Sequence, residues 1–237
     1  MLNLWTLINE NQLYNNSIIN ELDDISSIKN KLKFAKEKLK LVGSGSARTV
    51  FALEKDKVLK IAKDERGIEQ NKVEINISKE KNKLFTEIFD YADDLSWIVA
   101  EYALPCKADD FKKIYGISHE DLYAFLYCLE FNIKPGTSAR RVNDNALYSK
   151  YKVPMIDVFA AWHRYKQTGN ANENKFGISN KCGNFLTRWY QYITTHPEFV
   201  IEEMIVLENL GVVERQGKKA IVIVDPGMNG DIFDNMY

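Results

Sequence analysis

Leu39-Lys40-Leu41-Val42-Gly43-Ser44-Gly45-Ser46-Ala47-Arg48-Thr49-Val50-Phe51-Ala52-Leu53, followed by Val58-Leu59-Lys60-Ile61-Ala62, is the stretch on which the fold turns. Leu39 to Val42 reads as a short strand. Gly43-Ser44-Gly45-Ser46 reads as a turn, because glycine and serine together break regular structure. Thr49 to Leu53 reads as a second strand, rich in β-branched and aromatic residues. Glu54 to Lys57 is a polar turn, and Val58 to Ala62 a third strand. Connections this short join antiparallel neighbours, so the three form a meander. From Gly67 to about Asn82 the pattern turns helical, with Ile68, Val73, Ile75 and Ile77 as its apolar positions. Phe85 to Tyr91 and Trp97 to Ala100 read as two further strands around a polar turn holding Asp93 and Asp94. The order is strand, strand, strand, helix, strand, strand.

Upstream, residues 1–40 read mainly as helix, with Ile18, Leu22, Ile25, Ile28 and Leu32 recurring along one face. The lysines between Lys29 and Lys40 read as a solvated face. Downstream, Pro105 closes the strand-rich block, and residues 107–200 read as mostly helical. Ser118 is a candidate N-cap with Asp121 three residues on. Val153 to Lys166 and Asn184 to Ile193 are further helices. Lys134 to Asn145 and Thr168 to Asn180 read as loops, the first offering Arg140 and Arg141 as anion contacts. Leu210 to Val213 and Ala220 to Val224 read as a hairpin around Glu214-Arg215-Gln216-Gly217.

The chain has 237 residues, 32 Lys plus Arg, 33 Asp plus Glu and a net charge of −1, with 45% apolar residues. That composition is globular, not disordered. A near-neutral chain has no general attraction for nucleic acid or anionic lipid, so neither partner is expected. No run of about 18 apolar residues marks a membrane span. Cys106, Cys128 and Cys182 form no paired spacing for zinc and read as reduced thiols, which with the lack of a visible signal peptide favours a cytoplasmic location.

Gly43 to Val50 spells G-x-G-x-x-x-x-V, Lys60 lies on a strand ten residues on, and Glu74 lies fourteen further inside the helix. Trp97 to Ala103 reads W-I-V-A-E-Y-A, Asn209 precedes the hairpin, and Asp225 follows I-V-I-V. This series resembles the nucleotide-binding core of the protein-kinase-like fold. The resemblance implies an α+β, two-lobe fold: a helical extension at 1–38, a small β-sheet lobe at 39–104 with one helix, and a mostly helical, truncated lobe at 105–237. It implies ATP and Mg²⁺ as cofactors. Gly43 and Gly45 would let backbone amides approach phosphates. Lys60 would meet the α/β-phosphates, held by Glu74. The peptide groups of Glu101 to Ala103 would bind the adenine edge, and Val50 would pack on the base. Asp225 and Asn209 would hold Mg²⁺. A closer resemblance is to small kinase-like proteins of tailed phages, carried by Gly43 to Leu53, Val58 to Ala62, G-I-E-Q-N-K-V-E at Gly67 to Glu74, and I-V-I-V-D-P-G at Ile221 to Gly227.

The pattern breaks in four places. Val200 to Asn209 contains no Asp to orient an acceptor hydroxyl. Glu203, six residues before Asn209, or its neighbour Glu202, takes that place. Pro226 stands inside the metal turn. Arg48 replaces a third glycine, as either added positive charge near phosphates or a solvated tip. Twelve residues follow Asp225, too few for an activation segment. A second match to a kinase motif, His163-Arg164-Tyr165 with Asn170, is too far from Asp225 and reads as a structural helix. The expected function is a minimal ATP/Mg²⁺-dependent phosphotransferase with an unknown acceptor or partner protein. A pseudokinase, or an interaction protein keeping only the fold, is the alternative.

Overall fold

The computed structural model describes residues 17–137, 151–196 and 201–226, except the side chains of residues 202 and 203. Expectations for residues 1–16, most of the Lys134–Asn145 loop including Arg140 and Arg141, and Gly227 lie outside these. The fold is α+β, with an antiparallel sheet unit ending at Ala103 and a mostly helical unit opening at Leu104.

In the first unit, β1 (Lys40–Ser44), β2 (Arg48–Ala52) and β3 (Lys57–Ala62) form the expected meander. After helix α2 (Glu65–Lys79) come β4 (Ile88–Tyr91) and β5 (Trp97–Glu101). The sheet order is β1-β2-β3-β5-β4, all neighbours antiparallel. Gly43 and Ser44 belong to β1, not to a turn. A bulge lets Gly43 pair Val50 while Leu41 pairs Phe51, so only residues 45–47 turn the chain.

Alternation along the strands sends Phe51, Leu59, Ile61, Trp97 and Val99 to one face. There they bury against Ile18, Leu22 and Ala35. Each such side chain contributes about 1.5–3 kcal/mol of hydrophobic stabilisation. The N-terminal helical residues therefore cover one face of the sheet. They are not one continuous helix: residues 17–23 are helical, the chain breaks, and Ser27 caps α1 (Ile28–Lys38) by accepting from the Asn30 amide at 3.2 Å. Ile25 and Ile28 straddle the break and are only half-buried. Lys31 departs from the solvated-lysine reading. It is 3% exposed, donates to Ser96 Oγ at 2.7 Å and pairs with Asp94 Oδ2 at 3.1 Å. Its partners lie in the β4–β5 turn, distant in sequence, so composition gave no sign of them. Lys29, Lys33, Lys36, Lys38 and Lys40 are exposed as expected.

The opposite face receives α2. Ile68 and Val73 are half-buried, whereas Gly67, Asn71, Glu74 and Ile75 are buried. Positions 67, 71 and 74 share a face at i, i+4, i+7, and that face is polar. Gly67 is required by close approach: an added Cβ would lie 2.4 Å from the Ala47 carbonyl oxygen and 2.8 Å from Ala62 Cα. Alanine for glycine inside a helix is ordinarily worth about 1 kcal/mol of stability. Gly67→Ala is expected to reverse that sign and lower stability by roughly 1–3 kcal/mol through backbone overpacking, read from urea midpoints.

In the second unit, β6 (Leu104–Pro105), which the sequence reading passed over, pairs with β7 (Leu210–Arg215), and β7 pairs with β8 (Lys218–Ile223). The hairpin turn is two residues, not four. Gln216 and Gly217 both have positive φ, 52° and 69°, the backbone twist that suits a tight hairpin. The helices are α3 (Ala108–Tyr115), α4 (His119–Glu130), α5 (Met155–Thr168), α6 (Asn180–Thr195) and the short α7 (Ile201–Ile205). Ser118 caps α4 reciprocally: Asp121 N donates to Ser118 Oγ at 3.1 Å and Ser118 N to Asp121 Oδ2 at 3.0 Å. Tyr115 stacks on Phe185 at 3.8 Å, and its hydroxyl accepts from the Ile221 amide at 3.2 Å, tying α3, α6 and the hairpin together. Among the described residues, no helix is long and apolar enough to cross a membrane.

Candidate functional site

The first unit brings together Lys60, Glu74, Val50 and the glycine loop. Val50 lies directly opposite Lys60 in the β2–β3 ladder, and Arg48 lies opposite Ala62. Arg48, Val50 and Lys60 therefore point to one face, and Arg48 is the diagonal neighbour of Lys60. Onto that face α2 sets Glu74. Lys60 Nζ donates to Glu74 Oε2 at 2.7 Å, and Arg48 Nη1 lies 2.6 Å from Glu74 Oε1. The three are 6%, 6% and 5% exposed for Lys60, Arg48 and Glu74. Arg48 is thus not a solvated loop tip. It is a buried second cation on the same carboxylate. It also donates to Asn71 Oδ1 at 3.3 Å, and Asn71 Nδ2 donates to the Leu95 carbonyl at 2.7 Å.

The glycine loop is tied to β3 by Lys63, whose amide donates to the Ala47 carbonyl at 2.8 Å and whose Nζ donates to the Gly45 carbonyl at 2.5 Å. Gly45 spends its own amide on the Arg48 carbonyl at 2.9 Å. A Cβ at Gly43 would meet nothing within 4 Å, and at Gly45 only the Arg48 carbonyl oxygen at 4.0 Å. Packing thus demands glycine at Gly67 and at neither loop position. At the end of β5, the Glu101 amide donates to the Glu87 carbonyl at 2.8 Å and the Tyr102 amide to Asp56 at 2.7 Å. The Ala103 amide has no hydrogen-bond partner among the described residues.

The second unit carries Asn209 and Asp225. Leu210 pairs with Ile223, and the Val224 amide donates to the Asn209 carbonyl at 2.8 Å, so at the hairpin's open end Asn209 pairs with the residue before Asp225. Glu202 and Glu203 fall in the short helix α7, and Asn209 ends a turn of 3-10 helix at Leu207–Asn209. His119 Nε2 contacts the Ile205 carbonyl at 2.8 Å, which fixes the end of α7 from the start of α4. No spacing signal in the sequence pointed to His119. His163, set aside as structural, lies in α5, exposed. With Leu129, Phe159 and Tyr190 it lines a cavity of about 420 Å³ between α4, α5 and α6.

All three cysteines are buried, and burial pushes the Cys106 thiol up to about 12 and the Cys128 thiol up to about 11. Thiols held that high are poor nucleophiles and metal ligands. Among the described residues, no group of three or more His, Cys, Asp or Glu is arranged to hold a metal ion.

No protein-family model matches the chain, and no curated protein matches it. Among solved structures, it is similar to the streptomycin–ATP–APH(2")-IIa ternary complex at 14% identity and TM-score 0.32, over 85% of this chain and 73% of that one. It is similar to a choline/ethanolamine kinase family protein from Mesorhizobium loti at 16% identity and TM-score 0.34, over 82% of this chain and 60% of that one. A third is ADP-bound aminoglycoside phosphotransferase APH(2'')-Ib, at 15% identity and TM-score 0.31, over 85% and 72%. The chain thus spans less than two thirds of the choline/ethanolamine kinase family protein. Likenesses this weak say nothing about substrates.

Proposed function

We propose that the chain is a minimal kinase-like phosphotransferase that uses ATP with Mg²⁺. The observation that carries this reading is the buried Lys60–Glu74 pair at 2.7 Å, on the sheet face that also bears Val50. A lysine aimed by a carboxylate is a ready phosphate contact. The glycine loop fits the same ligand. Gly43 and Gly45 are free of any packing need for glycine, and a phosphate lying against bare backbone supplies one. The Ala103 amide is a donor for the adenine edge. Asn209 and Asp225 would hold Mg²⁺ as two oxygen ligands, the rest coming from phosphates and water. Bound Mg²⁺ would supply charge neutralisation at the phosphates. Lys60 orients the α/β-phosphates, Glu74 fixes Lys60, and Glu203 or Glu202 takes the acceptor proton.

The three-part division at 38/39 and 104/105, with an N-terminal extension serving the small lobe, belongs to this proposal. So does descent from the phage-type kinase-like proteins. One observation favours a second reading, a nucleotide-binding pseudokinase: residues 200–209 contain no Asp. Incubation with γ-labelled ATP, alone and with cell lysate, separates the two. The first reading expects Mg²⁺-dependent label transfer that Asp225→Asn lowers on the order of 100-fold or more. Nucleotide binding without transfer supports the second. Transfer unchanged in Glu203→Gln would remove Glu203 from the mechanism.

A further inference from the structure

We infer that Arg48 is a positioning residue that acts through Glu74. With Asn71 it pins the carboxylate to the sheet so that the Lys60 pair is preformed and does not depend on Lys60 itself. The inference deepens the nucleotide reading above and takes its first readout from it.

Lys60 takes Glu74 Oε2 at 2.7 Å and Arg48 reaches Oε1 at 2.6 Å. A lysine ammonium on a flexible stem holds a partner as a point charge, whereas a guanidinium is a planar fork that can serve two acceptors in fixed geometry. Arg48 serves both partners through Nη1, which lies 2.6 Å from Glu74 Oε1 as an ion pair and donates to Asn71 Oδ1 at 3.3 Å. Asn71 is fully buried and lies one turn before Glu74 on the same helix face. Its amide nitrogen reaches across to the Leu95 carbonyl at 2.7 Å, in the β4–β5 turn. Leu95 has φ 57°, and the residues around it, Asp94 and Ser96, are held by Lys31 of α1. Helix α2 is therefore fastened to the sheet unit at Gly67 by backbone contact, at Asn71 by the turn, and at Glu74 by Arg48. None of these contacts includes Lys60. The motifs G-S-G-S-A-R and G-I-E-Q-N-K-V-E, far apart in sequence, converge here through Arg48, Asn71 and Glu74.

A residue acting through Glu74 differs measurably from one that touches phosphate itself. The test is a double-mutant cycle on full-length protein with Arg48→Met, Glu74→Gln and the pair, reading MgATP dissociation constants by calorimetry, with far-UV circular dichroism as the fold control. Arg48→Met is expected to weaken binding at least tenfold, and the double variant to be no weaker than Glu74→Gln alone. Arg48→Lys is expected to recover only part of the loss, because it keeps the charge and lacks the fork. Wild-type affinity in a folded Arg48→Met, or losses that add in the double variant, would overturn the inference.

A second readout needs no nucleotide and separates failure here from failure of the nucleotide reading. It is the acylation rate of Lys60, measured by peptide mapping of the intact protein. Arg48→Met should change that rate at least threefold in the wild-type background and leave it unchanged in the Glu74→Gln background. An equal effect in both backgrounds would mean that Arg48 acts on Lys60 directly, and no effect in either would mean that it does not act on the pair. Each result overturns the inference, even if the wild type binds no ATP. Should Arg48→Met fail to fold, Arg48→Lys and Asn71→Ser carry the same cycle with the same expected coupling.

Discussion

Lys60→Met should reduce phosphate transfer on the order of 100- to 1000-fold, the scale of losing one preorganised charge at a transferring phosphoryl group. The protein should nonetheless stay folded. Removing one member of a buried ion pair ordinarily costs about 3–5 kcal/mol, because a bare charge is left behind. Here Glu74 keeps Arg48 at 2.6 Å, so the carboxylate is not left bare. The expected loss of stability is therefore below that range, and thermal melts should place Lys60→Met close to wild type. Glu74→Ala is expected to behave differently. It leaves two buried cations, Lys60 and Arg48, without their shared carboxylate, and should destabilise more than Lys60→Met. If Lys60→Met unfolds the protein while Glu74→Ala does not, the double-cation description of the site is wrong.

Gly183→Leu should be the most damaging single change in the helical unit. Gly183 sits on the first turns of α6 against α5, and a Cβ there would lie 2.1 Å from Trp162 Cε2 and 2.4 Å from Cδ2. Trp162 is 2% exposed and has no room to swing away. Forcing a side chain into such a contact costs about 3 kcal/mol or more, a fall in melting temperature on the order of 10 °C for a unit of this size. The paired variant Gly183→Leu with Trp162→Ala removes the ring that the leucine meets, and should recover part of the loss. Measured calorimetrically, an unchanged melting temperature in Gly183→Leu would show that α5 and α6 do not pack this closely.

The meander was legible because its signals are local. β-branched alternation marks the strands, and short Gly/Ser or charged links leave only antiparallel pairing. The Ser118–Asp121 cap was legible for the same reason, being complete within four residues. What escaped the sequence depends on distant partners. Arg48 beside a glycine loop reads as either a charge near phosphates or a solvated tip, and only the register of β2 against β3, with α2 laid across them, shows it buried on Glu74. Of the apolar positions expected in α2, Ile75 and Ile77 are buried and Ile68 and Val73 only half-buried, while Gly67, Asn71 and Glu74, which no search for apolar periodicity would choose, are buried with them. Lys31 hid among exposed lysines, because its partners Asp94 and Ser96 are more than sixty residues away. The pair Lys60–Glu74 was implied by the resemblance that its motifs carry, and the two are in contact at 2.7 Å. The pairing of Asn209 with the residue before Asp225 follows from a hairpin whose strands were both visible in sequence, even though its turn was drawn too wide.

Calorimetric titration of ATP into the wild-type protein, with and without Mg²⁺, decides whether the chain binds nucleotide and metal together as proposed. Saturable binding is expected that tightens at least tenfold with Mg²⁺, with the Mg²⁺ enhancement lost in Asp225→Asn and the affinity lowered in Lys60→Met. No heat of binding from the wild type at millimolar ATP with Mg²⁺ present would contradict the proposal.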